Sequence, residues 1–387
     1  MVKTLIVIRK RLVAGILIII NFMAMRTIFL LLIPAMLLVS CGNKQTKRSG
    51  ATASLPNFTT TPYFYVQLKG KLAGKDITMQ LTKANPVTYH GYYMYNDIGE
   101  PITIWGNLDQ NNKLVMYEST DEKEERFFMG TMDSAGVFSG KWRGKGTTYD
   151  YVLKPDMKDA TPLNVYYGED SVKLFPTNPN TPIGTATNAV LWPANTVDDS
   201  TAAFIRNTIT GNPSFSNNPT RYLRRDIDSF LATYRTTETD IDTTDIPATA
   251  SWSADADMKV VYNHYPYLSI ESFTYEYTGG AHGNYGSFYK VLDLEHRKVL
   301  TTDDLFKPGY KEALPALLER SYRKMFAIEP EKSIKSGLLV EAIPVNDNFF
   351  ITDKGIGFCY TPYEIGPYTM GQVTLFLDFK DLRSYLK

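Results

Sequence analysis

From Tyr63 to Pro155 hydrophobic and polar residues alternate in short runs, and each run stops at a cluster of turn formers. The runs are Tyr63 to Lys69, Ile77 to Leu81, Tyr89 to Tyr95, Ile102 to Gly106, Lys113 to Glu118, Arg126 to Thr131, Val137 to Trp142 and Thr148 to Leu153. A period of two places alternate side chains on one face, the pattern of a half-buried strand. Ala73-Gly74-Lys75, Asp97-Ile98-Gly99, Asn111-Asn112, Ser134-Ala135-Gly136 and Gly144-Lys145-Gly146 supply the turns. Short strands at even spacing predict an antiparallel β meander over 63–155 that closes into a small barrel, which removes exposed edges. Gly106 and Gly140 fall inside strands beside Trp105 and Trp142. Those two rings are expected to fill the barrel core, although a Trp near the mouth could stack on a sugar.

Residues 156–185, rich in Pro, Asn, Thr and Asp, read as a linker with one edge strand at Ser171 to Phe175. The pattern then changes. A strand at Thr187 to Trp192 precedes a helix capped at Asp198-Asp199, with Ala202, Ile205 and Ile209 on one face and Gly211 at its end. A second helix, from Pro219 to Tyr234, carries Leu223, Ile227, Phe230, Leu231 and Tyr234 as its buried stripe. Strands follow at Ala250 to Ala254, Met258 to His264, Leu268 to Tyr277 and Tyr285 to Asp293. A third helix uses Leu314, Leu317, Leu318, Tyr322 and Met325. The tail reads as a hairpin of Phe349 to Ile351 and Ile356 to Tyr360, a loop, a strand from Gln372 to Asp378 and a short helix. The predicted fold class is a β-rich α+β chain: a barrel-like β domain, then an α+β domain over 186–387 with an antiparallel sheet and about three helices. The 26 tyrosines support a strand-rich reading.

Ahead of these domains lies a leader. From Met25, MRTIFLLLIPAMLLVSC presents one Arg, an apolar run from Ile28 to Val39, and small residues before Cys41, the layout of a secretory signal. The last four positions, Leu38-Val39-Ser40-Cys41, resemble the lipobox of bacterial lipoproteins, which implies cleavage of 1–40 and lipidation of Cys41. Leu12 to Met25 is also apolar, so the start codon is expected at Met25 or Met23; Arg26 divides the two runs, and neither reaches the ~18–20 residues of a membrane span. Residues 41–62 are then a flexible tether holding the fold roughly 25 Å from the lipid. The expected location is the bacterial cell envelope, facing the periplasm or the outer surface, with the membrane reached through the lipid.

Removing the five basic residues of the leader leaves 36 basic against 41 acidic residues, a net charge of −5. Such a surface offers no phosphate-tracking field, and nucleic acid is not an expected partner. With Cys41 lipidated, Cys359 stands alone in an alternating run, as a core residue rather than a nucleophile. His90, His264, His282 and His296 show no ligand spacing, and neither a nucleophile elbow nor a phosphate loop occurs. No cofactor, metal or catalytic set is therefore expected.

Two segments resemble a known family: Tyr275-Glu276-Tyr277-Thr278-Gly279-Gly280-Ala281-His282, with Tyr289, Asp293-Leu294 and Leu300 to Phe306, and the closing run Phe358 to Tyr368 with Gly371. They are similar to the extracytoplasmic region shared by lysozyme-sensing anti-sigma factors and by the non-catalytic domain of PdaC-type peptidoglycan deacetylases. Many members are Bacteroidetes lipoproteins of unknown function. The resemblance covers about residues 160 to 387 and implies a binding or sensing module for lysozyme or a peptidoglycan fragment. A sigma-binding role is not expected, since at most eleven residues precede the first apolar run, and the Asp and His pattern of the deacetylase chemistry has no counterpart.

The candidate ligand-binding residues are His282, Tyr275, Tyr277, Glu364, Tyr363 and Tyr368. His282 follows two glycines, so it reads either as a base or ligand contact near its working pH, or as the side chain that fixes a tight bend by bonding backbone. Glu364 lies between Tyr363 and Tyr368 in a loop, either binding a sugar or locking the loop. The leading expectation is a module that recognises a wall glycan or an envelope protein such as lysozyme. The alternatives are an enzyme on envelope carbohydrate using His282 and Glu364, and a structural docking platform.

Overall fold

The computed structural model describes residues 55–387 apart from 120–123, 212–216, 242 and 244. The leader, Cys41 and the first part of the tether lie outside the described residues.

Eight antiparallel strands form a closed barrel: β1 (Phe64–Leu72), β2 (Lys75–Lys83), β3 (Thr88–Tyr95), β4 (Ile102–Leu108), β5 (Leu114–Glu118), β6 (Phe127–Met132), β7 (Phe138–Gly144) and β8 (Thr147–Pro155). Every strand read from the alternation is present, and β1 closes on β8 from Leu68 opposite Pro155 to Lys71 opposite Val152. Inside, Phe128 meets Tyr93 and Tyr151 edge-on at centroid distances of 5.1 Å, the geometry that aromatic quadrupoles prefer. At Gly106 a Cβ would fall 1.7 Å from the Val115 carbonyl oxygen, so only glycine permits this approach of β4 to β5. The two tryptophans part company. Trp142 is buried in the core as expected, whereas Trp105 points outward and is 55% exposed, because the strand period places it on the outer wall beside inward Ile104.

Residues 41–62 are not all tether. Phe58 is 2% exposed and closes one end of the barrel, its ring edge-on to Phe64 at 4.8 Å and its N–H donating to the Ser134 carbonyl at 3.2 Å. Gly136, at φ +85°, makes room for that ring; a Cβ there would sit 2.6 Å from it.

The second sheet has the order β14-β13-β12-β11-β10-β9, from β9 (Leu163–Lys173), β10 (Ile183–Pro193), β11 (Ser253–His264), β12 (Tyr267–Tyr277), β13 (Asn284–Asp293) and β14 (Lys298–Leu300). The linker expected at 156–185 is thus corrected: it holds all of β9 and the start of β10. Asp255, Ala256 and Asp257 join the two strands expected around them into the single strand β11. Its pairing with β10 is parallel, and the pairs elsewhere in this sheet are antiparallel. The parallel step needs a crossover, which α1 (Asp199–Thr210) and α2 (Pro219–Arg235) supply. Asp198 caps α1 by accepting from the Thr201 N–H, and Gly211, at φ 67°, ends it. The stripe Leu223, Ile227, Leu231 and Tyr234 seats α2 on the sheet, each such side chain contributing about 1.5–3 kcal/mol on burial.

A short helix, α3 (Thr302–Leu305), leads into α4 (Tyr310–Met325), which packs Tyr310, Leu314, Leu318 and Tyr322 against a third sheet of β15 (Phe349–Ile351), β16 (Gly355–Tyr360) and β17 (Val373–Asp378); α5 (Phe379–Leu382) follows. Cys359 is fully buried in β16, and burial pushes its thiol pKa up, so the side chain is chemically quiet.

The barrel docks through β1, β2 and β3 on one face of the six-stranded sheet, and polar groups fill the seam. Asn263 donates to Tyr65 Oη at 3.0 Å, and Tyr65 donates to Gln80 at 2.6 Å. Lys259 lies 3.0 Å from Asp257 and 3.3 Å from Glu271, while Tyr92 of the barrel donates to Glu271 at 2.5 Å. Ser287 bonds the other Glu271 oxygen. Burial works against the Lys259 ammonium, but Glu271 and Asp257 together raise its pKa above the ordinary value. His90 of β3 reaches Asp257 at 3.6 Å; burial nevertheless holds its pKa below the usual value, and its Nε2 is buried without a hydrogen-bond partner.

Candidate functional site: an aromatic groove on the sheet

Beyond the cover of α2, a groove of about 600 Å3 opens on the six-stranded sheet. Its floor is made of small residues in cross-strand register: Ala186 opposite Ala254, Ala256 opposite Thr274, and Thr274 opposite Gly286. One wall is α2, through Asp226, Ile227 and Phe230; the other is the loop after β16, through Thr361, Pro362, Tyr363 and Tyr368. Phe288 stands at this second wall and is 52% exposed. Asn188, Asp255, Glu276 and Asn284 add polar groups, and Tyr275 and Tyr285, paired across β12 and β13, complete the lining.

The loop is held open by its own bonds. Both Glu364 oxygens are committed: Oε1 accepts from Asn346 Nδ2 at 2.8 Å and Oε2 from the Thr361 N–H at 2.9 Å. The preceding residue, Tyr363, takes φ +71° and turns its ring outward. Tyr368 ties the loop to the glycine bend between β12 and β13. Its ring stacks on His282 at a centroid distance of 3.8 Å, meets Tyr285 edge-on at 5.9 Å, and its hydroxyl donates to the Gly283 carbonyl at 2.6 Å. Gly279 and Gly280, at φ +95° and +93°, form the bend; Tyr277 donates to the Gly280 carbonyl at 3.0 Å. His282 Nδ1 lies 3.0 Å from the Gly283 carbonyl, which can only accept, so Nδ1 carries the proton.

Of the six residues singled out in the sequence, Tyr275, Tyr363 and Tyr368 line the groove, while His282, Tyr277 and Glu364 brace the segments that shape it. Among the described residues His282 and Glu364 are each bonded within their own surroundings, His282 to the Gly283 carbonyl and Glu364 to Asn346 and Thr361, and no hydrogen bond joins the two. Also among the described residues, no three His, Cys, Asp or Glu side chains are placed to hold a metal ion. The sequence did not single out Phe288, Asn188, Thr274 or Asn284. Phe288 carried a signal, since it sits on the solvent side of an alternating strand, opposite in sense to buried Tyr289.

A closed antiparallel barrel followed by helix-covered sheets, one of which presents this groove, defines a two-part β-rich α+β protein. Residues 198–285 match the family described as Deacetylase PdaC, and residues 303–380 match the one described as a protein of unknown function, DUF3298. The region from α1 to β17 therefore contains segments similar to the PdaC and DUF3298 families, in agreement with the resemblance read from the two motifs. No curated protein matches the chain. A crystal structure of a DUF3298 member from Bacteroides fragilis is similar at 23% identity and a TM-score of 0.54, over 59% of this chain and 96% of that one. A DUF3298 structure from Pseudomonas aeruginosa aligns at 19% identity over 60% of this chain and 97% of that one, with a TM-score of 0.43. The first likeness supports the fold over the part of the chain that it covers. The barrel strands lie outside both family matches.

Proposed function

We propose that the protein is a glycan-binding module of the cell envelope, held to a membrane by lipid at Cys41. The groove carries this reading: exposed ring faces of Phe288 and Tyr363 stand over a floor of small residues, with carboxamides and carboxylates at the rim. Rings supply stacking surface for the C–H faces of a sugar, and the polar groups meet its hydroxyls. Titrating the full chain in detergent with soluble muropeptides, followed by calorimetry, is expected to give saturable heat that Phe288→Ala reduces roughly tenfold in affinity. No heat at millimolar muropeptide defeats the reading.

The rim also supports a second ligand. Asp226, Asp255 and Glu276 line the groove with no Lys or Arg among its lining residues, a charge pattern that suits a basic protein such as lysozyme. Lysozyme belongs in the same titration, where binding that is lost at high salt identifies it as the preferred partner. The anchor has its own test: mass spectrometry of the native protein is expected to find a mature N-terminus at Cys41 bearing acyl chains, and an unmodified, uncleaved leader excludes it.

A further inference from the structure

The two ends of the groove differ in chemistry, and strand register sets how far apart they are. Along β12 and β13, Ser272 stands opposite Phe288, Thr274 opposite Gly286 and Glu276 opposite Asn284. Alternate residues of a strand share a face, so these three pairs follow one another on the groove side of the sheet. Glu276 lies roughly 13 Å along β12 from Ser272, the partner of Phe288, at the usual rise of a strand. An exposed ring therefore marks one end and a carboxylate beside a carboxamide marks the other, with only Thr274 and Gly286 between them on these strands.

The rim carboxylates also differ in what they already hold. Asp226 accepts from Arg225 Nε at 2.8 Å, and Asp255 accepts from the Thr187 hydroxyl at 2.7 Å. Glu276 is exposed, its neighbours across the sheet are Ala254 and Asn284, and its carboxylate has no hydrogen-bond or ion-pair partner among the described residues. A carboxylate only accepts, so whatever meets Glu276 must donate. The strongest donor a sugar carries is an ammonium, which brings three N–H groups and a charge that roughly doubles the strength of the bond. An N-acetylated nitrogen offers one N–H and no charge, and an acidic sugar is repelled. With no Lys or Arg in the lining, nothing in the groove competes for the carboxylate or repels a cation.

We propose that the groove selects glycans whose amino groups are free of acetyl, stacking one sugar on Phe288 and placing the ammonium of another on Glu276. This deepens the glycan reading and rests on it. A lysine of a partner protein would meet the same carboxylate, but a groove of about 600 Å3 has the size of a small-ligand site, whereas a protein partner needs about 800 Å2 of contact on each side.

The full chain in non-ionic detergent is titrated with a trimer of glucosamine and with the same trimer N-acetylated. At low salt the glucosamine trimer is expected to bind roughly tenfold more tightly, the effect of one charge-assisted bond, and high salt narrows the gap. Glu276→Gln is expected to bring the glucosamine trimer down to the level of the N-acetylated one, and Phe288→Ala to weaken both. Glu276 is exposed, so its variant keeps the fold, which circular dichroism verifies. Equal binding of the two trimers, or a preference that survives Glu276→Gln, overturns the amine and spares the glycan reading. Binding of neither trimer removes both readings, and lysozyme binding that Glu276→Gln abolishes while both trimers stay weak gives the carboxylate to a protein partner and overturns the proposal.

Discussion

Phe58→Ala is expected to lower the unfolding free energy by about 3–5 kcal/mol, as large as any single core truncation in the barrel. Phe58 closes the barrel end at 2% exposure and has no neighbour that can move in to replace it: Phe64, Gly136 and Pro155 are fixed by the strands around them. Urea denaturation followed by tyrosine and tryptophan fluorescence measures the change. A loss under 1 kcal/mol shows that the ring decorates the barrel without plugging it. Soluble fragments should accordingly begin ahead of Asn57, because a fragment starting at Thr60 discards the plug.

Lys259→Met is expected to cost a comparable 3–5 kcal/mol, since it strips the cation from buried Glu271 and from Asp257. Replacing the whole set with apolar residues is expected to cost much less, because the penalty arises from carboxylates left unpaired. His90 adds a pH dependence to the same seam. Its folded pKa lies below the usual value near 6.5, so folding favours the neutral ring. The stability it contributes is complete above that value and is lost as pH falls below it, where the unfolded chain takes up the proton more readily. Unfolding midpoints at fixed ionic strength should fall between pH 7 and pH 5, and His90→Asn should flatten part of that slope. An unchanged slope shows that His90 does not titrate across the seam.

The barrel was legible because alternation and turn formers mark its strands, the outer faces of β4 to β8 meeting water while those of β1, β2 and β3 meet the second sheet. The same logic explains what stayed hidden. Only the first part of β9, around Leu163 and Val165, is firmly buried, and from Gly168 to Lys173 the strand is largely exposed, so its sequence resembles a loop. The middle of β11 reads as a break because Asp255 and Asp257 are polar; the partners that make them strand residues, Thr187 and His90, come from elsewhere in the chain. Phe58 is one aromatic among Thr, Pro and Asn, with no period to reveal it. In the site, the glycine bend and the Tyr363 to Tyr368 loop stood out as motifs. Phe288 and Thr274 did not, since each lies on a regular strand and becomes part of a groove only when α2 and the loop stand on either side.

Between Asn284 and Lys290, β13 has no strand on its outer side. Gln372 and Asn348 side chains occupy that margin instead, taking the N–H groups of Ser287 and Tyr289 at 2.8 Å while Asn348 donates to the Ser287 carbonyl at 2.9 Å. A backbone margin satisfied by carboxamides cannot recruit a foreign strand. Molecules at high local concentration thus gain a local defence against stacking into fibrils.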